Sequence, residues 1–303
     1  MLRVKIVKLG YKLIIVKLIG GLGNQMFQYA LGRHLAIINN CSLKLDIRGF
    51  KDYKLRNYDL NCFNIQQNIA TSEDLSGTIL PSDRFTRKIR KRLEFMVTDF
   101  QQMKYIKESD GDFQPEILGI RDSVYLDGYW QSEKYFSDIK DVIKKEFTVK
   151  NRPDTINKSF LEDIAECESV SVHVRRGDYI SNLKTNKVHG FLGPEYYQRA
   201  INIMLEKIDN PHFVVFSDDH DWAERNIKTD APITYIKHNG AKNYEDMRLM
   251  RTCKHHIIAN SSFSWWGAWL ASNEGKIVIG PSKWFQEKDY NDLDRMPENW
   301  LRV

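Results

Sequence analysis

Two adjacent arginines follow a short apolar segment in the second half of the chain. The segment is Val170-Ser-Val-His-Val174, and the residues after it are Arg175-Arg-Gly-Asp178. Two guanidinium groups at the end of a buried strand are costly to bury unless anions neutralise them. Arginine also binds phosphate through paired hydrogen bonds. The pattern therefore predicts a phosphate site, with a structural salt bridge between Asp178 and one of the arginines as the alternative.

A cluster of acids follows the next apolar segment, Phe213-Val-Val-Phe216. The cluster Ser217-Asp-Asp-His-Asp221 can accept hydrogen bonds from a ribose hydroxyl or from the amino group of a base. Asp219 and Asp221 also form an Asp-x-Asp triplet, which can hold a divalent metal on a nucleoside diphosphate. Helix capping before Trp222 is the alternative explanation for part of the cluster.

Two further polar runs stand where a predicted strand gives way to a predicted helix. Asn260-Ser-Ser-Phe-Ser264 opens a helix with three hydroxyls, at the end where free backbone N–H groups attract anions. Gly20-Gly-Leu-Gly-Asn-Gln25 combines a glycine turn with two amide side chains. It matches a dinucleotide fingerprint only in part, because Met26 stands where the third glycine is required. The four runs together are typical of a nucleotide or nucleotide-sugar site.

Alternating strands and helices must position these runs. In the second half, apolar β-branched segments predict strands over 170–174, 213–216, 233–236, 256–259 and 276–280. Helical spacing predicts helices over 194–208, 222–227, 244–253 and 262–271. The first half predicts strands over 13–19, 42–46 and 124–130 and a helix over 26–38. Such alternation forms parallel sheets covered on both faces, and ligands bind beyond the carboxyl ends of their strands.

Length and composition bound the kind of protein. The chain has 303 residues, of which 42% are apolar and 28% charged, and this excludes a disordered chain. No run of about 18 uncharged apolar residues and no signal-peptide pattern is present in the sequence, so a cytoplasmic protein is expected. The four cysteines are far apart, which favours reduced thiols over disulfides or a zinc site.

The net charge of +5 is distributed unevenly along the chain. Six of the nine residues over 84–92 are Lys or Arg. A solvated helix face is one explanation. The other is a docking site for an anionic membrane surface, where each basic side chain contributes about 1 kcal/mol. The second explanation predicts a peripheral location on the inner face of the membrane.

The order and spacing of four motifs resemble the alpha-1,2-fucosyltransferases of glycosyltransferase family 11. The motifs are Gly20-Gly-Leu-Gly-Asn-Gln-Met-Phe-Gln-Tyr-Ala30, His173-Val-Arg-Arg-Gly-Asp-Tyr179, Phe216-Ser-Asp-Asp219 and Asn260-Ser-Ser-Phe-Ser-Trp-Trp-Gly-Ala268. Alpha-1,6- and protein O-fucosyltransferases share the His-x-Arg-Arg-x-Asp element, so the first and last motifs carry most of the specificity. The missing membrane anchor resembles the bacterial members.

The resemblance implies an α/β protein of GT-B-like architecture, with two Rossmann-like domains whose parallel sheets face each other across a cleft. Residues 1–150 would form the acceptor-side domain and residues 151–303 the GDP-fucose-binding domain, with Asn151-Arg-Pro153 at the junction. The implied reaction is inverting, metal-independent transfer of L-fucose from GDP-beta-L-fucose to the 2-hydroxyl of a galactoside. GDP-fucose is the donor substrate, and no metal or other cofactor is expected.

The resemblance also implies roles for single residues. Arg175 would bind the β-phosphate, with Arg176 and Asp178 in support, and Asp178 is in addition one candidate for the general base. Asn24 and Gln25 would lie at the transferred sugar. The residues implied to bind the donor are His173, Arg175, Arg176, Asp218, Asp219, Ser261, Ser262, Phe263 and Ser264.

Two other functions remain open alternatives. The first is a metal-dependent glycosyltransferase that uses Asp219 and Asp221, and the second is a non-catalytic protein that binds a nucleotide sugar. The expected partners are a galactose-terminated glycan, GDP-fucose and an anionic membrane surface, and no nucleic acid is expected.

Overall fold

The computed structural model describes residues 12–52, 56–76, 103–109, 111–287, 292 and 294–303. The basic segment 84–92 lies outside the described residues, so its two interpretations stay as predictions. The side chains of residues 178, 181 and 183–185 are also outside the described part.

A four-stranded parallel sheet forms the first half of the described structure. Its strands are β1 (Leu13–Lys17), β2 (Ser42–Asp46), β3 (Lys104–Lys107) and β4 (Val124–Asp127), in the order β2-β1-β4-β3. The three central residues of β1, Ile14, Ile15 and Val16, are fully buried, as expected for an apolar, β-branched central strand. The first helix, α1 (Leu22–Ile38), connects β1 to β2.

The remaining elements of the first half are short. The helices are α2 (Ser72–Ser76) and α3 (Lys140–Glu146). The 3₁₀ turns cover Arg48–Lys51, Leu60–Cys62, Pro115–Gly119, Glu133–Tyr135 and Ser137–Ile139.

A six-stranded parallel sheet forms the second half, in the order β10-β9-β8-β5-β6-β7. Its strands are β5 (Glu168–Val174), β6 (Pro211–Ser217), β7 (Ile233–Ile236), β8 (His255–Ile257), β9 (Val278–Gly280) and β10 (Leu301–Arg302). Its helices are α4 (Thr155–Glu166), α5 (Gly177–Ser181), α6 (Leu183–His189), α7 (Pro194–Lys207), α8 (His220–Asn226), α9 (Asn243–Thr252) and α10 (Ser262–Leu270). The predicted α/β architecture with two parallel sheets, the GT-B-like arrangement, is confirmed.

Some elements differ from the sequence prediction. The strands β3 and β10 were not predicted, and neither were the helices α2 to α6. Strand β3 is amphipathic and only partly buried, with the exposure pattern exposed, intermediate, intermediate, exposed, so it lacks the apolar run that marks a buried strand. Strand β10 is two residues long, which is too short for any periodicity to be visible.

The largest apolar core joins the two halves. Trp265 and Trp266 of α10 pack on Phe27 of α1, with ring centroids 4.6 and 4.9 Å apart. Phe136 stacks on Trp266 at 5.2 Å. The same buried cluster contains Trp300 near the end of the chain. The two sheets are therefore attached to each other through a shared aromatic core.

No helix in the described part of the chain is both long and apolar enough to cross a membrane.

Candidate functional site

A cleft of about 1320 Å³ separates the two sheets. One wall consists of segments that follow β1, β3 and β4, and the other of segments that follow β5, β6, β7 and β8. Each of these segments lies at the carboxyl end of a parallel strand, which is where open α/β sheets bind their ligands. Two of the four polar runs singled out in the sequence, 20–25 and 260–264, contribute most of their residues to the cleft. The acidic run contributes Ser217, Asp218 and His220, and the arginine run contributes Arg175.

Arg175 lies in the cleft wall beyond β5 and pairs with an acid from the neighbouring strand. Its Nη1 is 2.8 Å from Oδ2 of Asp218, and its guanidinium lies 5.5 Å from the ring centroid of Tyr179. The other oxygen of Asp218 accepts the backbone N–H of Arg176 at 2.8 Å. A Cβ atom on Gly177 would be 2.8 Å from Asp218 Oδ2, so glycine permits the close approach of the backbone to this carboxylate.

The charge state of Asp218 follows from this packing. Burial acts to raise the pKa of Asp218, but the Arg175 guanidinium and the N–H groups of Arg176 and Gly177 hold that pKa below its ordinary value. Asp218 is therefore a carboxylate at neutral pH, and it orients Arg175. The sequence placed Asp218 at the nucleoside and considered Asp178 as the partner of the arginines. The side chain of Asp178 lies outside the described residues.

Arg176 is placed differently from its neighbour. It does not line the cleft, and its guanidinium lies 4.2 Å from the ring centroid of Trp222 and 5.2 Å from that of Phe191. Its Nε donates to Oδ2 of Asp219 at 3.2 Å. Asp219 in turn caps α8 by accepting the N–H of Trp222 at 3.1 Å. Arg176 and Asp219 thus fix α8 against the end of β5.

The contacts of Asp219 and Asp221 concern the metal site that the Asp-x-Asp triplet could form. The carboxylate of Asp219 is engaged by Arg176 and by the helix cap, and Asp221 is exposed in the first turn of α8. Within the ranges that the structure describes, no three His, Cys, Asp or Glu side chains are grouped to hold a metal ion.

His173 is a buried imidazole in the cleft wall. The residue is 6% exposed, and its Nδ1 has no hydrogen-bond partner among the described residues. Burial, with a smaller contribution from Arg175 and against the effect of Asp218, lowers the pKa of His173 to about 4. The ring is therefore neutral at pH 7. A buried polar atom without a partner is costly, and this one belongs to a residue that lines the cleft.

The N-termini of α1 and α10 meet at the cleft. A Cβ atom on Gly23 would lie 2.5 Å from the carbonyl carbon of Ser262, so only glycine permits this contact. Ser262 Oγ donates to Oδ1 of Asn24 at 2.7 Å, and Ser261 caps α10 by accepting the N–H of Phe263 at 3.3 Å. Neither helix has an acid in its first turn. Two N-terminal helix dipoles therefore point toward one place, which favours an anion there.

Two of the sequence-predicted site residues support the loops instead. Gln25 is fully buried, and its Nε2 donates to the carbonyl oxygens of Gly20 at 3.0 Å and Asn57 at 2.8 Å. Its Oε1 accepts the N–H of Asp59 at 2.9 Å. Ser264 is 2% exposed and donates to backbone carbonyls of its own turn. Neither residue is among those that line the cleft.

Sequence reasoning missed a partly buried acid beyond β7. Asn239 Nδ2 donates to Oδ1 of Asp246 at 2.7 Å, and both residues line the cleft. Burial raises the pKa of Asp246 to about 6, with Asn239 opposing and Glu245 reinforcing the shift. The position after a predicted strand was the available signal, but no motif surrounds these residues.

The acids of the opposite wall were missed as well. Asp127 at the end of β4 accepts a hydrogen bond from Lys17 Nζ at 2.9 Å and from the Tyr105 hydroxyl at 2.7 Å. The carboxylate of Glu108 accepts the backbone N–H groups of residues 129 and 130 at 2.6 and 3.0 Å. Both acids line the cleft. Glu108 lies beside the unpredicted strand β3, so nothing in the sequence indicated its position.

The fold and the cleft define the class of protein. Two parallel sheets face a cleft that offers an oriented arginine, two helix N-termini and partly buried acids, which is the arrangement of a glycosyltransferase that takes a nucleotide-linked sugar. The chain belongs to glycosyltransferase family 11, since the model of Glycosyl transferase family 11 matches residues 5–302.

The chain is similar to several known proteins. It is 38% identical to an alpha-1,2-colitosyltransferase of Escherichia coli, over 96% of this chain and 99% of that protein. It is 33% identical to the O-antigen biosynthesis glycosyltransferase WbnK of Escherichia coli, over 94% and 98% of the two chains. Galactoside alpha-(1,2)-fucosyltransferase 2 of Rattus norvegicus is 27% identical, over 84% of this chain and 66% of its own. Among solved structures, the fucosyltransferase NodZ from Bradyrhizobium matches at a TM-score of 0.46 and 14% identity, over 85% and 92% of the two chains.

Proposed function

We propose that the protein transfers L-fucose from GDP-beta-L-fucose to the 2-hydroxyl of a galactose-terminated glycan, with inversion, to form an alpha-1,2 linkage. The observation that carries the proposal is Arg175, which lines the cleft beyond β5 with its guanidinium held by Asp218 at 2.8 Å. A cation fixed at the end of a strand, next to two helix N-termini, suits the diphosphate of such a donor.

In this proposal Arg175 and the N-termini of α1 and α10 act on the departing nucleotide. As the bond to the sugar breaks, negative charge grows on the β-phosphate. Donors that are already oriented toward this charge stabilise the transition state more than the ground state, and so raise the rate. The pair with Asp218 fixes the guanidinium before the donor arrives.

The nucleoside is assigned to the far end of the same wall. Asp218 is engaged by Arg175, so the acid proposed to accept hydrogen bonds from the base is Asp246, which Asn239 orients at 2.7 Å. His173 offers its unpartnered Nδ1 as a neutral acceptor or donor in the same wall. On this basis residues 151–303 carry the donor side.

The acceptor is assigned to the wall of the first sheet, so residues 1–150 carry the acceptor side. This wall presents Glu108, Asp127 and the half-exposed ring of Tyr129, which is 43% exposed. A sugar can stack on such a ring while the acids accept from its hydroxyls. Asp178 stays a candidate for the general base, beside these two acids.

One observation favours a second donor. The relative at 38% identity over nearly the whole chain is named an alpha-1,2-colitosyltransferase, and colitose is L-fucose without its 3-hydroxyl. A site that hydrogen-bonds that hydroxyl rejects colitose strongly, whereas an apolar contact there discriminates about 10- to 200-fold. Turnover with GDP-fucose and with GDP-colitose, measured side by side, decides between the two sugars.

The experiment that tests the function is an incubation with each GDP-sugar and a panel of galactose-terminated glycans, with and without a chelator. GDP release with a new alpha-1,2 linkage, identified by NMR, in the presence of chelator is the expected result. Strict dependence on added manganese would support the metal-dependent enzyme that uses Asp219 and Asp221. Tight donor binding without turnover would support the non-catalytic nucleotide-sugar-binding protein.

A further inference from the structure

Arg295 is a buried cation in the cleft that the proposed reaction has not used. It is 6% exposed and lines the cleft, and its Nε has no hydrogen-bond partner among the described residues. Burial lowers the pKa of the Arg295 guanidinium, although the charges of Glu108, Asp112 and Asp292 oppose this shift. A buried charge without an ion-pair partner costs stability. Its presence therefore points to a requirement other than stability.

The hydrogen bonds of Arg295 lead through Gln131 to the N-terminal end of α1, which lies at the cleft. Its Nη1 donates to Oε1 of Gln131 at 2.8 Å and to the carbonyl oxygen of Gln131 at 3.2 Å. Gln131 Nε2 donates to Oδ1 of Asn24 at 2.6 Å. Ser262 Oγ donates to the same oxygen of Asn24 at 2.7 Å. Four residues from three distant parts of the chain thus form one hydrogen-bonded series.

Only one end of this series, Arg295, is restricted to donating hydrogen bonds. An amide side chain can present either its oxygen or its NH₂ group, and a serine hydroxyl can donate or accept. Arginine is the exception, because it has five N–H donors and no acceptor and stays protonated in proteins. Gln131 must therefore turn its oxygen to Arg295 and its NH₂ group to Asn24. Asn24 must then present its oxygen to Gln131, which leaves its Nδ2 on the other side.

The Nδ2 group of Asn24 donates to no described residue, and Asn24 lines the cleft where α1 and α10 meet. It packs so closely on Gly20 that a Cβ atom there would lie 2.4 Å away. We propose that Arg295 is a positioning residue, which through Gln131 forces Asn24 to aim its N–H donors at the diphosphate–sugar junction of the donor. The inference rests on the proposed transfer reaction, because that reaction places the junction between Arg175 and the two helix N-termini.

The substitution Gln131→Glu tests the direction of the series without removing its packing. A carboxylate keeps the contact with Arg295 and adds an ion pair, so the protein should be at least as stable as the wild type. Its second oxygen faces Asn24 Oδ1, so Asn24 turns its NH₂ group to residue 131 and its oxygen to the cleft. We expect kcat to fall about 100-fold, as for the loss of one preorganised donor, while the Kd for GDP changes less.

The companion variants separate positioning from packing. Arg295→Met removes the donor-only group at similar volume, so Gln131 can adopt both orientations and kcat should fall about tenfold, with a loss of thermal stability because two oxygens of Gln131 lose their donor. Arg295→Lys restores a donor and should recover part of that loss. The matched control is Gln198→Glu, because Gln198 Nε2 makes the same kind of contact with Asn202 Oδ1, at 2.9 Å on the exposed face of α7. Gln198→Glu should leave turnover unchanged.

A second measurement does not depend on turnover. The side-chain amide resonance of Asn24 is assigned by its loss in Asn24→Asp, and it should shift on addition of GDP in the wild type but not in Gln131→Glu. Wild-type kcat in a folded Gln131→Glu protein, or the same GDP-induced shift in both proteins, overturns the positioning role. A wild type that transfers no sugar but shows the shift would contradict the proposed function and leave the orientation of Asn24 supported.

Discussion

At the scale of single residues, the cleft is organised by side chains whose charge at neutral pH, or whose hydrogen-bonding direction, is fixed by their surroundings. Arg175 and Asp218 form a charged pair in which each fixes the other, since the pKa of Asp218 is held low by that cation and by two backbone N–H groups after burial has acted to raise it. His173 is fixed in its neutral form by burial. These constraints mean that the proposed donor site exists before a ligand arrives, which is the condition for preorganised electrostatic catalysis.

The first prediction concerns Arg175. Arg175→Ala should lower kcat about 100- to 1000-fold, because it removes a cation oriented toward the departing diphosphate. Steady-state kinetics and a thermal melt of the same sample check this. Arg199, exposed on α7, provides the matched control, and Arg199→Ala should leave both measurements unchanged. Wild-type turnover in folded Arg175→Ala would remove the main support for the proposed function.

The second prediction concerns Asp246 and pH. Because burial raises the pKa of Asp246 to about 6, the carboxylate is protonated as the pH falls through that value. The KM for the GDP-sugar should therefore rise between about pH 7.5 and about pH 5 if the carboxylate accepts from the base. In Asp246→Asn the KM should be high and nearly independent of pH over this range. A wild-type KM that does not change would argue against the assignment of Asp246 to the base.

The same pKa shift has a consequence for folding. The folded state binds the proton of Asp246 more tightly than the unfolded state, whose carboxyl has the ordinary value of 3.8. The contribution of this group to stability is therefore present at low pH and is lost as the pH rises through the interval between the two values. Asp246→Asn should raise the melting temperature at pH 7 more than at about pH 4. An equal change at both pH values would contradict the shift.

At the scale of elements, the site depends on two helices that meet end to end. Helix α1 follows the first strand of one sheet, and α10 follows β8 of the other. The contact is possible because Gly23 has no side chain, and the two are also joined by Trp266 Nε1, which donates to the carbonyl oxygen of Gly23 at 3.0 Å. One glycine of the first sequence motif, Gly23, thus permits the approach of a second helix, which a role in the turn alone does not explain.

The third prediction tests this contact. A Cβ atom at position 23 would lie 2.5 to 2.7 Å from backbone atoms of residues 262 and 263, which cannot move aside as a side chain can. Gly23→Ala should destabilise the protein by about 1–3 kcal/mol and lower kcat, because the two N-termini separate. The control is Gly119→Ala, since a Cβ atom at Gly119 meets nothing within 4 Å. Denaturant unfolding and steady-state kinetics should show a loss of stability and of kcat in Gly23→Ala but not in Gly119→Ala. Equal stability and equal kcat in the two variants would contradict the role given to Gly23.

At the scale of the whole molecule, the cleft is formed between sheets that share one core. The cluster around Trp265 and Trp266 includes residues of α1 and of the segment that ends at Trp300. Pairs such as Phe27 with Trp265 and Phe136 with Trp266 cross the predicted junction at residues 151–153. Two halves that bury aromatic surface against each other should hold the cleft in one geometry rather than swing as separate bodies.

The fourth prediction follows from the shared core. Calorimetric unfolding should show a single transition for both halves, because the loss of either sheet exposes the aromatic cluster. Trp266→Ala should lower the stability of the whole protein by about 3–5 kcal/mol. Ile201→Ala, in the separate core beneath the second sheet, should also shift the entire transition rather than part of it. Two resolved transitions in the wild type would show that the halves unfold independently.

The sequence by itself determined the local arrangement of this protein. Apolar β-branched segments and helical spacing predicted two parallel sheets, and the polar runs around residues 20–25, 175–178, 217–221 and 260–264 were predicted at strand ends. This succeeded because parallel strands place their carboxyl ends at one edge of a sheet, so the position in sequence implies the position in space.

Only the tertiary structure decided which side chains meet. Asn24 and Ser262 are 238 positions apart and Gln131 and Arg295 are 164 apart, and their contacts depend on how the two sheets are packed. Within single halves, the pairing of β5 with β6 brought Arg175 to Asp218, and Gln25 turned to the backbone of its own loop. Periodicity and spacing describe neighbours along the chain, whereas burial and hydrogen-bond satisfaction select partners in space. For that reason the position of the cleft could be predicted from the sequence, whereas the contacts between its side chains could be known only from the fold.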